Sequence, residues 1–426
     1  MATRNIATMG VPLRAPAPLA QFPDCSPRTH GAQPVAVPRL ALRPRARFKR
    51  GAEPPSEVSG GSVRKPLSWR ANCLTVRGGF ARLCPLSCPG AAVPPSQSSR
   101  AWMSMDILSS GTGEFRFTDP DVIRAWMRDH KRRDFVDKTC SETDAVSRFV
   151  KDGAYISFDF SSFTRGPLGL IREIIRQGRR NLWYCAKFTL MESTLLAAAG
   201  AVARIDVGFM GLGDTLNRAV EAGSIRVSEW TNGTLTLRHL AGAMGVPFLP
   251  TRALLGSDTL TYSGAKVVTD PFGGKPVALV PALNPDVGLI HVHQADVYGN
   301  GRCFGPGVSP LETAMAARRV IVSTDEIVDP DDIRKDPAKT TIPYYMVDAV
   351  VYSPFGAYPG GVPGLYEMDY EHWGEYNQFE RQGRLDEYLD RYVYSVASNT
   401  EMLEKRVGLE RLNGLRRRAT VREGYR

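Results

Sequence analysis

The stretch "AYISFDFSSFTRGPLGLIREIIRQG", residues 154–178, decides the fold. Its opening "AYISFDF" is short, aromatic and apolar, and reads as a strand. The following "GPLGLIREIIRQG" reads as a helix: Pro167 sits near its start, Leu170, Ile171, Ile174 and Ile175 form an apolar stripe, and Gly178 stops it. The same alternation recurs outward from this unit. "RIDVGFMG" is a strand followed by a short helix ending at "EAGS", and "LTLRHLAGAMG" is a helix that ends before "VPFLP". "KPVALVPAL" and "VGLIHVHQAD" are apolar strands, "PLETAMAARR" is a helix feeding the strand "VIVSTDEI", and "MVDAVVYSPFGA" is a late strand. Apolar strands separated by amphipathic helices predict an α/β fold, an open and mostly parallel sheet with helices on both faces, over residues 105–374. Ligands of such sheets bind in the loops at the carboxyl ends of strands. Those loops here are "SSFTRGP", "MGLGD", "QADVYGNG" and "SPFGAYPGG". Residues 375–426 read as a charged helical arm and tail, for packing or partner contact.

The first hundred residues differ sharply. They hold 15 of the 54 Lys and Arg but only 3 of the 44 Asp and Glu, which leaves 39 basic against 41 acidic residues in the rest. The net charge of +10 is therefore a property of this leader, and no nucleic-acid partner is inferred from it. Fifteen of the 31 prolines also lie there, so no helical or strand period survives and residues 1–104 read as disordered. A transit peptide, translated upstream sequence with the true start at Met103 or Met105, and a nucleic-acid-binding arm compete as explanations. The second is favoured, because thirteen of the fifteen basic residues are Arg. The globular part keeps only Cys140, Cys185 and Cys303, far apart, which argues for a reducing, cytoplasmic setting. No apolar run reaches about 18 residues, so no membrane-spanning helix is expected.

Several motifs invite chemistry, each beside a plainer reading. "FGGKP" (272–276) lacks phosphate-loop spacing and reads as a turn between strands. "FMGLGD" (209–214) places glycines after a strand, where backbone N–H groups can approach an oxyanion, but the dinucleotide fingerprint is absent. His291 and His293 lie two apart on one strand face, as a zinc pair or as a half-buried strand end; no third ligand is apparent, and no metal is predicted. Glu192 in "TLMESTLLAAAG" is accounted for by helix-start chemistry. Glu229 stands before Asn232-Gly233, and a carboxylate that attacks a thioester needs a dry site and oxyanion donors of the kind an adjacent amide supplies. A surface Glu before a helix is the alternative.

Taken together, "IREIIRQGRRNL", "EAGSI", "AMGVPFLPTRALLGSD", "PALNPDVGLIHVHQADVYGNG", "STDEIVDPDDIRKDP" and "VDAVVYSPFGAYPGGVPGLYEMD" resemble the A (alpha) subunit of family I CoA-transferases, most closely the glutaconate type, over about residues 140–372. The resemblance implies a partner B subunit in a heterodimer, heterotetramer or larger assembly, with coenzyme A as substrate and no metal or redox cofactor. It implies a glutamyl-CoA thioester on a Ser-Glu-Asn-Gly glutamate that two-chain members carry in the B subunit. The nearest echo here is Ser228-Glu229-Trp230-Thr231-Asn232-Gly233, and counting back from "PFLP" puts Asn232, not Glu229, at the nucleophile's position. No catalytic residue is thus assigned to this chain, and Glu229 is kept only as an alternative nucleophile of a single-chain enzyme. The family's early Gly-Gly-Phe loop appears as Phe158-Asp159-Phe160-Ser161-Ser162-Phe163, which bars close backbone approach. A related heterodimer of bacterial steroid degradation opens a ring by hydrolysis and uses Glu-Gly where this chain has Asn232-Gly233.

The expectation is the alpha half of a CoA-transferase whose cleft is lined by Ser162, Arg165, Gly211, Gly213, Asn232, Gln294, Asn300 and Gly356. Arg165 would hold a carboxylate or CoA phosphate, or be a solvated loop arginine. Gly211 and Gly213 would present backbone donors to the thioester oxygen. The alternatives are one half of a ring-opening hydrolase and a catalytically silent structural subunit.

Overall fold

The computed structural model describes residues 106–159, 163–210 and 213–419. The leader 1–104 lies outside these residues, as do Ser162 and Gly211. The chain runs through β1 (Ile107–Ser110), α1 (Pro120–His130), α2 (Glu142–Phe149), β2 (Tyr155–Phe158), α3 (Leu168–Arg176), β3 (Leu182–Ala186), α4 (Met191–Ala198), β4 (Val202–Val207), α5 (Asp214–Glu221), β5 (Arg226–Glu229) and α6 (Asn232–Met244). It continues with β6 (Phe248–Thr251), α7 (Asp258–Tyr262), β7 (Lys266–Thr269), β8 (Pro276–Pro281), β9 (Val287–Ala295), β10 (Gly301–Arg302), α8 (Pro310–Ala316), β11 (Arg319–Ile327), α9 (Pro330–Lys335) and β12 (Ala349–Tyr352). Helices α10 (Tyr370–Arg381), α11 (Leu385–Leu389), α12 (Asn399–Met402) and α13 (Leu409–Ala419) follow.

Seven strands pair in the order β12-β11-β9-β2-β3-β4-β5, all in parallel. The short β10 folds back antiparallel on β9. The expected parallel sheet is therefore present, and β2 lies inside it with β3 on one side and β9 on the other. Strand order runs outward from β2 in both directions, so the crevice at the carboxyl ends of β2 and β9 is the topological switch point.

One expectation is corrected. "KPVALVPAL" supplies β8, which belongs to a second, antiparallel sheet of order β1-β7-β8-β6. The loop between β7 and β8 is too short for a parallel crossover. It is the turn expected at "FGGKP": the Asp270 carboxylate accepts from the N–H groups of Phe272 and Gly273.

The pleat sorts β2 and β3 into two faces. Ile156, Phe158, Leu182, Tyr184 and Ala186 join one apolar core with the buried Leu170, Ile171, Ile174 and Ile175 of α3. The C-terminal helices share this core through Tyr388, Leu389, Tyr392, Val393, Leu412 and Leu415. The arm is thus a packed layer of the α/β unit, and its first helix starts at Tyr370. Tyr155 and Cys185 point the other way and pack with Trp230, Leu235 of α6 and residues of the second sheet.

Candidate active site

Strand β2 runs directly into Asp159, which is 3% exposed. One carboxylate oxygen accepts from the backbone N–H of Val308 (3.2 Å) and Ser309 (2.7 Å). The other accepts from Arg165 Nη2 at 3.1 Å, and that nitrogen also donates to the Pro306 carbonyl at 2.7 Å. The loop after β2 and the loop between β10 and α8 are therefore tied together. Arg165 has a left-handed backbone (φ 53°), an uncommon conformation for a residue with a side chain. Its guanidinium is buried, and Nε and Nη1 have no acceptor among the described residues.

Strand β3 runs directly into Lys187, an ammonium only 3% exposed whose Nζ lies 3.3 Å from the Asp159 carbonyl oxygen. Burial lowers its pKa, and the Asp159 charge opposes that shift. The next strand, β4, is followed directly by Gly208. A Cβ there would stand 2.2 Å from Asn232 Oδ1 and 2.9 Å from the Lys187 carbonyl oxygen, so only glycine fits. Asn232 is the first residue of α6, and a reciprocal cap between Thr231 and Thr234 fixes where that helix begins. Asn232 Oδ1 is buried and accepts no hydrogen bond among the described residues.

Beneath Asn232, α6 is fastened to the sheet by polar contacts. His239 has Nδ1 2.8 Å from the Leu235 carbonyl and Nε2 2.8 Å from Ser157 Oγ. A carbonyl only accepts, so Nδ1 carries the proton and Nε2 accepts from Ser157. Burial first, then the Lys187 charge, hold this imidazole well below its ordinary pKa. Arg238 donates to Asp206 at 2.6 Å, and both are fully buried. Asp206 also accepts from the Tyr155 hydroxyl and from Trp183 Nε1, while the Arg238 guanidinium lies over the Trp230 ring, 4.1 Å from its centroid.

The residues expected to line one cleft do not all converge. Arg165 and Asn232 fall on the same cluster, joined through Asp159, Lys187 and Gly208. Arg165 is buried and not a solvated loop arginine, because Asp159 and Pro306 hold it inside. Gly213 (φ 105°) precedes α5, whose Thr215 N–H is already taken by Glu380 Oε1 at 2.8 Å. Gln294, near the end of β9, is bonded to Glu326 of β11 and Arg302 of β10. Asn300 closes its own turn, donating to Asp296 and accepting from the Tyr344 N–H. Gly356 is buried against His291 and Ser353 with both backbone groups used: its N–H donates to Ser353 and its carbonyl accepts from Gly169. Each of these three side chains or backbone groups is thus engaged in hydrogen bonds local to its own turn or strand end.

The two strand histidines are also satisfied. His291 sits between Ser323 Oγ and Asp325, and His293 donates to the Pro363 carbonyl while accepting from the Phe304 N–H. Among the described residues no three His, Cys, Asp or Glu side chains are grouped to hold a metal ion. Glu192 lies in the first turn of α4, fully buried, and the residue before that helix makes no side-chain cap. Glu229 ends the edge strand β5 and makes no side-chain hydrogen bond or ion pair among the described residues. Sequence reading missed Lys187 and the Asp159 knot. The available signal was a lone charge directly following each of two apolar strands, "LWYCA" and "YISF".

Residues 140–353 match the family model described as Coenzyme A transferase. The chain belongs to the coenzyme A transferase family. It is 32% identical to the A subunit of the 3-oxoadipate CoA-transferase of Pseudomonas knackmussii, over 62% of this chain and 95% of that one. The A subunit of the glutaconate CoA-transferase of Acidaminococcus fermentans is 28% identical over 66% of this chain and 94% of its own. The crystal structure of the Acidaminococcus enzyme superposes with a TM-score of 0.62, covering 65% of this chain and 95% of that one. The IpdA subunit of a cholesterol ring-cleaving hydrolase from Rhodococcus jostii is 31% identical, over 56% of this chain and 86% of that protein. The α/β fold of this family member places the Asp159–Lys187–Asn232 cluster at the carboxyl ends of its central strands. Among the described residues no helix is long and apolar enough to cross a membrane.

Proposed function

We propose that this chain is the A-type half of a heteromeric CoA-transferase, which moves coenzyme A between an acyl-CoA and a carboxylic acid through a glutamyl-CoA thioester on a partner subunit. The observation that carries this reading is the state of the carboxylate at the strand ends. Asp159 has both oxygens committed, to two backbone N–H groups and to Arg165, so it is not a free nucleophile. The same cluster instead offers a buried ammonium, Lys187, and an amide, Asn232. That is a half-site able to favour negative charge but not to attack a carbonyl.

In the proposed cycle the partner's glutamate carboxylate attacks the thioester carbonyl. The tetrahedral oxyanion collapses, expels the CoA thiolate and leaves an acyl-glutamyl anhydride. The thiolate attacks the glutamyl carbonyl, which releases the first acid as its carboxylate and forms the glutamyl-CoA thioester. The second acid then runs the same two steps in reverse, and the glutamate is regenerated with no net proton change. Lys187 would lower the energy of the oxyanion and the departing thiolate through its field, at a site where little water screens it. The cycle needs no metal or redox cofactor, and coenzyme A enters as substrate.

The test is co-expression with a candidate B subunit, followed by mass analysis of products from an acyl-CoA plus an isotopically labelled acid. Labelled acyl-CoA is expected. Free CoA released without any acceptor acid would instead favour the second reading, a CoA-thioester hydrolase, for which the likeness to the IpdA subunit is the specific observation.

A further inference from the structure

The buried ammonium groups of Lys131 and Lys187 are held differently. Lys131 Nζ touches the Asp348 carboxylate at 2.7 Å. Lys187 Nζ touches no carboxylate among the described residues; its acceptor is the Asp159 carbonyl oxygen at 3.3 Å. A buried amine without an anion against it tends to lose its proton, and burial is the largest influence on Lys187. The charge that the half-site needs therefore depends on the field of groups that do not touch the ammonium.

Those groups come from four elements. Asp159 follows β2 and is paired with Arg165. Cys185 of β3 lies two residues before Lys187, and burial pushes its thiol up to about 12, so it carries no charge at neutral pH. His239 of α6 is held neutral, and Arg238 beside it is spent on Asp206. Glu312 lies in the first turn of α8 and is partly exposed, so water screens it. Asp159 is buried, and its charge bears on Lys187 more than any other does. Its carboxylate is kept from swinging onto the ammonium, because Val308, Ser309 and Arg165 occupy both oxygens. One residue thus presents a carbonyl at contact distance and an anion at a fixed remove.

We propose that Asp159 is a positioning residue: its backbone carbonyl aims the Lys187 ammonium, and its fixed carboxylate keeps that ammonium charged inside the cluster. The assignment rests on the CoA-transferase reading above, in which the Lys187 charge favours the oxyanion and the departing thiolate.

The first measurement uses the full-length chain alone and does not depend on CoA transfer. Lysine labelled with carbon-13 is incorporated, and the Lys187 Cε signal, the one lost in Lys187→Met, is titrated by NMR. Asp159→Asn keeps the carbonyl and an oxygen for Val308 and Ser309 and removes the charge. The Lys187 titration should then move to lower pH by about one unit, the scale of losing a nearby opposite charge. Because Asp159→Asn leaves Arg165 without its anion, the pair Asp159→Asn with Arg165→Gln is made as well. Its two amides can bond each other, and movement in the same direction is expected. A Lys187 titration that stays in place in whichever variant folds overturns the assignment.

The second measurement reads turnover of the complex with its companion against pH. In the unaltered complex kcat should fall on the alkaline side as Lys187 loses its proton. In the folded Asp159 variant that limb should lie at lower pH, with KM changed by less than about twofold. A merely structural loss would lower kcat equally at every pH and leave the limb in place, and that result overturns the role in the reaction. An unaltered complex that transfers no coenzyme A defeats the CoA-transferase reading, and the NMR titration then still decides whether Asp159 holds the charge.

Discussion

The two faces of the parallel sheet hold their helices by different means. On one face, α3 and the C-terminal helices press aliphatic and aromatic side chains against Ile156, Phe158, Leu182 and Tyr184. On the other, α6 is fixed by Asp206–Arg238 with Tyr155 and Trp183, and by His239–Ser157. Apolar packing scales with buried area and tolerates small shifts, whereas hydrogen bonds demand direction. The helix held by directional contacts is the one whose first residue, Asn232, stands in the candidate active site. The apolar face thus supplies close packing, and the polar face supplies the aim.

The contrast is broken most severely at Asp206. Asp206→Ala leaves the Arg238 charge buried and unpaired, a loss of about 3–5 kcal/mol that urea melts would register. The double change Asp206→Leu with Arg238→Met should cost much less than the single one, because no lone charge remains. If the two cost the same, the polar face is held by area after all.

Lys187→Met sharpens the contrast from the side of chemistry. The side chain is nearly the same length, and the buried charge is removed, so the urea midpoint should hold or rise. Turnover of the complex should fall about 100-fold, the scale of losing one charge-stabilising group, with KM little changed. A full loss of folded protein would show Lys187 to be structural.

Acid probes two buried imidazoles of the molecule. Burial pushes His293 down to about 4 and His372 down to about 3, below the ordinary value of 6.5. Between those values and 6.5 the unfolded chain binds more protons than the folded one, so stability falls as pH drops from 6.5 towards 4. Each imidazole contributes a slope of about 1.4 kcal/mol per pH unit inside that window. His372→Phe should lose one such increment from the slope, read from urea melts at pH 7, 5.5 and 4.5. An unchanged slope would mean that His372 is not held neutral.

The smallest effect belongs to the apolar face. Ile171→Val removes one methylene from α3 and should cost about 0.5–1.5 kcal/mol, with activity per folded molecule unaltered. A fall in activity larger than the fall in folded protein would show that the face supplying area also helps to aim the site.

Legibility in the sequence followed the same division. Local periodicity disclosed β2 and α3, because the stripe Leu170, Ile171, Ile174, Ile175 is written within two turns. The antiparallel pairing of β8 was not legible, since a lone apolar run carries no sign of its neighbours' direction. Polar contacts were harder still. Asp159 meets Val308 and Ser309 across about 150 residues, and only the crossing of β2 beside β9 brings them together. Arg165 is visible as a loop charge, but its burial depends on that same long-range tie. Asn300 and Gly356 follow strands, which is all the sequence displays of them, and the turn hydrogen bonds that engage them are set by the fold.

The central claim is that the attacking carboxylate comes from a companion chain. The direct measurement mixes this chain with its companion and acyl-CoA, reduces the thioester with borohydride and locates the altered residue by peptide mapping. The account predicts a reduced glutamate on the companion chain and unmodified Glu229 here. A chain that exchanges coenzyme A by itself and bears the reduced residue at Glu229 would contradict it.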